Sequence, residues 1–390
     1  MLEPYHQQAA GASPTLSEIE TPALLLDITK VDGNIERLRR HLAGFQVGFR
    51  PHVKTAKSID VVRRAFPEGR GPITVSTLAE AEYFAAAGLT DICYAVGLAP
   101  DKIDRTRALV AQGVDLTVLI DSVGQAHALA GAAADGGAMP AVLIEIDCDG
   151  HRGGLVPDDP NLVAIADILK EARIEVRGVL THAGESYGAR GGVGLEAAAE
   201  GERAAVVASA MLLRAHGHAA PVVSVGSTPT AHFAANLDGV TEVRAGVFMF
   251  FDLVMHGIGV CSVDDIAVSV LATVIGHRPE KGWILIDAGW MAMSRDRGTQ
   301  RHPVDQGYGL VCDLDGRPWP DLIVGDASQE HGIISVRPGS GAALPDLPIG
   351  ARVRVLPNHA CATGAQHGAY RVVDGAGEGI VATWPRMRGW

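Results

Sequence analysis

No apolar run in this 390-residue chain reaches the length of a bilayer span, so the sequence offers no candidate membrane helix. Positive charge is scarce as well. Lys and Arg total 33 against 45 Asp and Glu, the formal net charge is −12, and the basic residues form no block. That balance argues against nucleic acid or an anionic membrane as a partner. Cysteine is thinly spread. The five at 93, 148, 261, 312 and 361 are scattered and odd in number, which excludes a disulfide framework and fits a reducing cytoplasm. The first 18 residues lack an apolar signal core and read as a loose tail. Internal repeats are missing, and no Gly-x-Gly-x-x-Gly follows the first strand-like run, which counts against a doubly wound open sheet. Hydrophobic residues make up 47%, ample for a large core, and the length suggests two domains or one barrel with an appendage.

What is present is a rhythm. Short apolar runs at 47–53, 73–76, 92–96, 116–120, 142–146, 176–180, 222–225 and 241–245 recur roughly 20–45 residues apart. Helix-like stretches lie between them. In 32–42, Ile35, Leu38 and Leu42 recur at helical spacing, 58–66 follows the first run, and 80–87 and 200–215 are rich in alanine. Eight strand–helix units imply a parallel sheet closed as a (β/α)8 TIM-type barrel over residues 30–256. Beyond 257 the pattern changes to β-like runs at 268–275, 283–287, 333–336, 353–356, 370–373 and 380–383, separated by Gly, Pro and Asp. We expect a C-terminal antiparallel β-domain there, joined by the strand-like 23–27, so that 1–29 and 257–390 form one discontinuous unit. The Ala- and Gly-rich patch 131–138 is expected to be a loop.

The most informative stretch is Arg50-Pro51-His52-Val53-Lys54-Thr55-Ala56-Lys57, which places a lysine where the first strand gives way to a loop. Barrel enzymes draw their reacting groups from such strand ends. An amine there, partly desolvated and beside other cations, can have its pKa lowered enough to attack a carbonyl. The alternative for a bare Lys-x-x-Lys is a solvated basic turn. Other strand ends are polar too: Asp147 to Arg152, Thr181-His182-Ala183-Gly184 with Tyr187 behind, Gly226-Ser227-Thr228, and Arg244-Ala245-Gly246. Gly226-Ser227-Thr228 suits a phosphate, since glycine admits close approach and a following helix start adds free N–H groups. It would equally serve as a plain helix cap. Arg152 and Arg244 could meet an anionic or aromatic ligand. In the β-like region, His359 and Cys361 sit one residue apart, on one side of an extended segment. Imidazole and thiolate both suit zinc, although a buried cysteine beside a histidine is the commoner arrangement.

Taken together, these motifs resemble the fold-type III pyridoxal-phosphate enzymes: alanine racemase in architecture, and more closely the D-serine dehydratase and D-threonine aldolase group. The likeness covers most of residues 20–386. It rests on Thr21-Pro22-Ala23-Leu24-Leu25-Leu26-Asp27, the 50–55 motif, Gly226 to Thr230, Thr241 to Gly246, Asp287-Ala288-Gly289, Gln329 to Gly332 and Pro357 to Cys361. The resemblance implies that Lys54, not Lys57, holds pyridoxal 5'-phosphate covalently. It puts Ser227 and Thr228, with the backbone at Gly246 and Val247, around the phosphate. Arg152 would approach the ring oxygen, Arg244 the pyridine nitrogen, and His182 and Tyr187 would lie beside the ring. His359 and Cys361 would be the metal pair, with zinc as the first expectation and manganese or magnesium as alternatives.

The implied activity is a lyase acting on a D-β-hydroxy-α-amino acid, a dehydratase giving a 2-oxo acid and ammonia. The alternatives are retro-aldol cleavage to glycine and an aldehyde, an amino-acid racemase, and a non-enzymatic cofactor carrier. A cytoplasmic homodimer is implied by resemblance alone. Two departures stand out. Relatives commonly read Lys-Thr-His-Lys where this chain has Ala56, and they often carry a proline in the stretch that reads Arg244-Ala245-Gly246-Val247-Phe248 here.

Overall fold

The computed structural model describes residues 14–375, 377 and 379–390. Among them, eight short parallel strands stand in the order of a ring: Gly48–Phe49, Glu242–Val243, Val222–Val225, Val176–Thr181, Ala141–Ile146, Asp115–Ile120, Asp91–Gly97 and Ile73–Val75. The ring closes where His52 bridges Thr74 in parallel, and where Thr74 N–H donates to the Pro51 carbonyl at 2.9 Å. Helices pack outside it, as a parallel barrel requires. Ile28–Leu42 buries Val31, Ile35, Leu38 and Leu42 on one face, the periodicity visible in the sequence. The side chain of Asp27 caps that helix by accepting from Lys30 N–H. Every strand expected for the barrel is found, although the first and last are only two residues long.

The second sheet is antiparallel apart from one parallel pairing. Val268–Arg278, Trp283–Ile286, Gly332–Val336, Pro318–Ala327, Gly309–Cys312 and Arg352–Pro357 pair in sequence round a closed barrel, which shuts because Val268–Arg278 pairs at one end with Trp283–Ile286 and at the other with Arg352–Pro357. Ala23–Asp27 joins this sheet, lying antiparallel to Val268–Arg278 and parallel to Ala369–Val373. The strand thus crosses from the β-rich sheet into the first barrel helix without a break.

Three expectations need correction. Residues 131–134 are not loop but the last turn of the helix Val123–Ala134, because alanine is the strongest helix former and outweighs one glycine. The strands Gly309–Cys312 and Pro318–Ala327 were not expected at all; their Gly, Pro and Asp content reads as turn, yet Val311, Cys312, Leu322 and Val324 are wholly buried. The tail is also partly fixed. Its residues 1–13 lie outside the described residues, but Leu16 is buried, Thr15 bridges Gly379, and Ile380 N–H donates to the Pro14 carbonyl at 2.8 Å.

Candidate active site

The carboxyl ends of the barrel strands and one edge of the β-domain enclose a cavity of about 790 Å³. The residues singled out from the sequence all line it: Lys54, Arg152, His182, Tyr187, Ser227, Thr228, Arg244, Gly246, Val247, His359 and Cys361. Lys57 is absent from the lining. Its ammonium lies 2.9 Å from the wholly buried Glu80 carboxylate, an internal ion pair. Two lysines three residues apart therefore have different surroundings. Lys54 sits in the tight turn after the first barrel strand, closed by Lys57 N–H donating to the Val53 carbonyl at 2.8 Å. Burial pushes the Lys54 amine below its ordinary range; the Cys361 thiolate opposes that and the Arg152 and Arg244 charges add to it.

The rest of the barrel wall behaves in the same way. Burial drives His52 well down and His182 down to about 3, so both rings are neutral. His182 Nδ1–H donates to the Gly226 carbonyl at 2.7 Å, which leaves Nε2 unprotonated. Arg244 is 4% exposed and pairs with no carboxylate among the described residues. It donates to the Thr181 carbonyl and, at 3.3 Å, to Ser224 Oγ, and its pKa too is lowered by burial. Arg152, by contrast, projects from an exposed loop.

At Gly226-Ser227-Thr228 both readings of the sequence are realised, on different atoms. Ser227 caps the short helix Thr228–Phe233, accepting from Thr230 N–H within a capping box, and its hydroxyl also meets Ser186 Oγ at 2.9 Å. Its hydroxyl is thus already engaged. Thr228 Oγ1 is buried and finds no hydrogen-bond partner among the described residues, although it lines the cavity. A buried hydroxyl without a partner needs one from a ligand. Gly226 has φ 152°, and a Cβ there would collide with the Arg244 carbonyl, so only glycine lets these strand ends pack so closely. Sequence reasoning missed the group that holds this corner. Glu202, buried in the long helix Gly191–Ala215, accepts from both Gly226 N–H and Ala183 N–H at 2.9 Å.

The opposite wall comes from the β-domain and is wired by carboxylates. His359 Nδ1–H donates to Asp296 at 2.6 Å, which frees Nε2 to face a metal ion. Cys361 Sγ lies 3.1 Å from Thr55 Oγ1, the neighbour of Lys54. Burial opposes protonation of His359, but Asp296 and Cys361 outweigh it and raise the ring to about 11. Burial likewise opposes ionisation of Cys361, yet His359 pulls the thiol below its ordinary value. Asp252 accepts from the Ala360 N–H between the two, at 3.0 Å, and Val254 N–H donates to the Asn358 carbonyl at 3.2 Å. Imidazole and thiolate side by side, each oriented by a second group, make a donor set suited to zinc. No group of three or more metal-binding side chains occurs among the described residues, so other ligand positions would fall to water or substrate. Glu330, His331 and His367, near this pair in sequence, do not line the cavity; His367 Nε2 is spent on the Ala292 carbonyl at 2.8 Å.

Comparison with known proteins fits this geometry. The alanine racemase N-terminal domain family matches residues 26–254, and a serine dehydratase domain family matches residues 267–373. The chain belongs to the fold-type III pyridoxal-phosphate enzymes. It is 52% identical to the D-threo-3-hydroxyaspartate dehydratase of Delftia sp. (strain HT23), over 96% of this chain and 99% of that one. It is 28% identical to the D-serine dehydratase of Dictyostelium discoideum, over 92% and 94% of the two chains. A metal-free cysteine-to-alanine variant of D-threo-3-hydroxyaspartate dehydratase superposes with a TM-score of 0.93 at 51% identity, covering 97% of this chain and all of that one. In this fold-type III enzyme, Lys54 stands on the barrel wall of the cavity and the His359/Cys361 pair on the β-domain wall.

Proposed function

We propose that this lyase is a pyridoxal-phosphate- and metal-dependent dehydratase of D-β-hydroxy-α-amino acids, of the 3-hydroxyaspartate or D-serine type. The observation that carries the reading is a desolvated lysine and a His/Cys pair facing one cavity, linked by the 3.1 Å contact of Thr55 with Cys361. Lys54 would hold the cofactor. The partnerless Thr228 hydroxyl, Ser227 and the backbone at Gly246 and Val247 would take its phosphate, with Arg152 toward the ring oxygen, Arg244 at the ring nitrogen, and His182 and Tyr187 beside the ring. His359 and Cys361 would hold the metal, zinc first by ligand softness. When bound, the cofactor supplies an electron sink at Cα and the metal a Lewis acid at the β-hydroxyl.

The chain's own residues do the rest. Burial lowers the Lys54 amine, which favours the neutral form that would take the α-proton at Nζ. Arg244, held between Thr181 and Ser224, would present its charge to a ring nitrogen placed there. Asp296 orients the His359 ring and Asp252 holds the Ala360 N–H beside it, so the pair would face a bound metal in a fixed orientation.

Retro-aldol cleavage could use the same walls, and ammonia against glycine as product separates the two. A racemase would need a second base. The tyrosines after residue 187 are Tyr308 and Tyr370, and neither lines the cavity. Tyr370 is instead buried, donating to the Ala56 carbonyl at 2.7 Å. A carrier would have no use for the metal pair. A homodimer and a reducing cytoplasmic setting belong to the same proposal; the five cysteines are all free among the described residues. The test is product analysis on D-serine and D-threo-3-hydroxyaspartate, with and without a chelator. Ammonia release that survives both metal removal and Lys54→Ala would sink the reading.

A further inference from the structure

His302 lines the cavity and has no part in the assignments above. It follows the helical turn Gly298–Arg301, on the segment that also carries Asp296, the carboxylate holding His359. Its Nδ1 is buried and without a hydrogen-bond partner among the described residues. The ring lies against the bare Cα of Gly257, where a Cβ would collide with that nitrogen. With Nδ1 shut in, Nε2 is the nitrogen left to face the cavity. The tautomer protonated at Nε2 leaves a lone pair rather than a donor unsatisfied inside, and turns an N–H outward. Burial, with the nearby Arg190 charge, keeps the ring neutral. Arg190 reaches the same segment by donating to the Arg301 carbonyl at 2.9 Å.

The location gives this N–H a use. His302 shares the 296–302 segment with Asp296, the partner of His359, and both line the cavity, so a hydroxyl held at His359 and Cys361 would bring the carbon that bears it toward the wall of residues 252–257 and 296–302. The remaining substituent on that carbon is a hydrogen in serine and a carboxylate in 3-hydroxyaspartate. The acidic groups of that wall are already engaged. Asp296 accepts from His359, and Asp252 accepts from Met255 and Ala360 N–H. A carboxylate arriving there would meet an imidazole N–H and the field of Arg190, while the charge of Asp296 is turned toward His359 and that of Asp252 toward two backbone N–H groups.

We propose that His302 is a specificity residue: it donates Nε2–H to a carboxylate on the substrate's hydroxyl-bearing carbon and so favours dicarboxylic β-hydroxy amino acids over serine. The inference rests on the dehydratase reading above.

The test compares cofactor-loaded wild type with His302→Asn, whose amide falls at the Nδ1 position, and His302→Gln, whose amide reaches the Nε2 position. Retained cofactor absorbance shows that each variant has folded. In H302N the ratio of kcat/KM for D-threo-3-hydroxyaspartate to that for D-serine should fall by at least about tenfold, the scale of a lost hydrogen bond to a charged group. It should partly return in H302Q. A smaller fall in H302N overturns the proposal. A second readout needs no turnover. Malate is 3-hydroxyaspartate without its amino group, and 3-hydroxypropionate is serine without its own. Calorimetry should show wild type preferring malate and H302N losing that preference; a preference left intact overturns the role of His302. If wild type releases ammonia from neither amino acid, the dehydratase reading falls, and the malate comparison alone decides the case of His302.

Discussion

The two walls of the cavity hold their ionisable groups in opposite ways. On the barrel wall burial prevails: Lys54, His52, His182 and Arg244 are all pushed toward their neutral forms, and among the described residues none has a carboxylate partner in contact. Across from it, on the β-domain wall, the groups are more open and partners prevail. Asp296 and Cys361 raise the His359 ring, and His359 in turn lowers the Cys361 thiol, so a metal binding there would displace a proton. One cavity thus favours a neutral amine on one side and a charge-paired imidazole and thiol on the other. What separates them is whether an opposite charge sits within hydrogen-bond reach.

The largest test of this contrast is Lys54→Ala. Turnover should fall by at least about 10³-fold, and the visible absorbance of lysine-bound cofactor should disappear. Lys57→Met should break stability instead, by about 3 kcal/mol in chemical denaturation, because it leaves the buried Glu80 carboxylate without its opposite charge and with Ser76 as its donor. The cofactor absorbance should persist at saturating cofactor. Third is a pH effect on the cofactor-free protein. His182 titrates near 6.5 when unfolded and near 3 when folded, so below 6.5 only the unfolded chain takes the proton. Stability should therefore be lost as pH falls from about 6.5 toward 3, by roughly 2–3 kcal/mol over the first two units. His182→Asn should make that limb shallower in thermal melts across pH, with His52 and His232, likewise lowered by burial, supplying the remainder. Asp296→Asn should weaken metal affinity by about 10–100-fold, measured by competition with a chromogenic chelator. Smallest is Thr228→Val. Cofactor affinity should drop by about tenfold, while the cofactor-free protein becomes no less stable, since an unpaired buried hydroxyl has been removed. A loss of stability in Thr228→Val would show that the hydroxyl has a partner in the free protein.

The barrel was legible because its strands are buried on both faces and read as apolar runs, and because a parallel barrel gathers every strand's carboxyl end at one mouth. That geometry let residues as distant as Lys54 and Arg244 be placed together from spacing alone. The β-domain was less legible. Pro318, Pro320 and Asp321 open a strand with residues that ordinarily end one; Pro318 is held opposite Cys312, and the rest of the strand pairs with Gly332–Val336. The groups that orient the site were invisible for a related reason. Glu202, Asp252 and Asp296 act on backbone N–H groups or a ring brought near only by folding, and nothing in their own sequence neighbourhoods marks them. Ala56 also changes meaning. It stands out in sequence as a missing imidazole, but in the structure its side chain is buried and its carbonyl receives Tyr370.

Thr55 has one further consequence. It shares a peptide bond with Lys54 and a hydrogen bond with Cys361, so the two walls of the cavity meet along the backbone as well as through space. A carboxylate in place of the thiol at position 361 would change the partner that Thr55 holds and so reach the lysine one residue away. Lys54 and the His359/Cys361 pair are for that reason mechanically joined, and neither can be redesigned as though the other stood still.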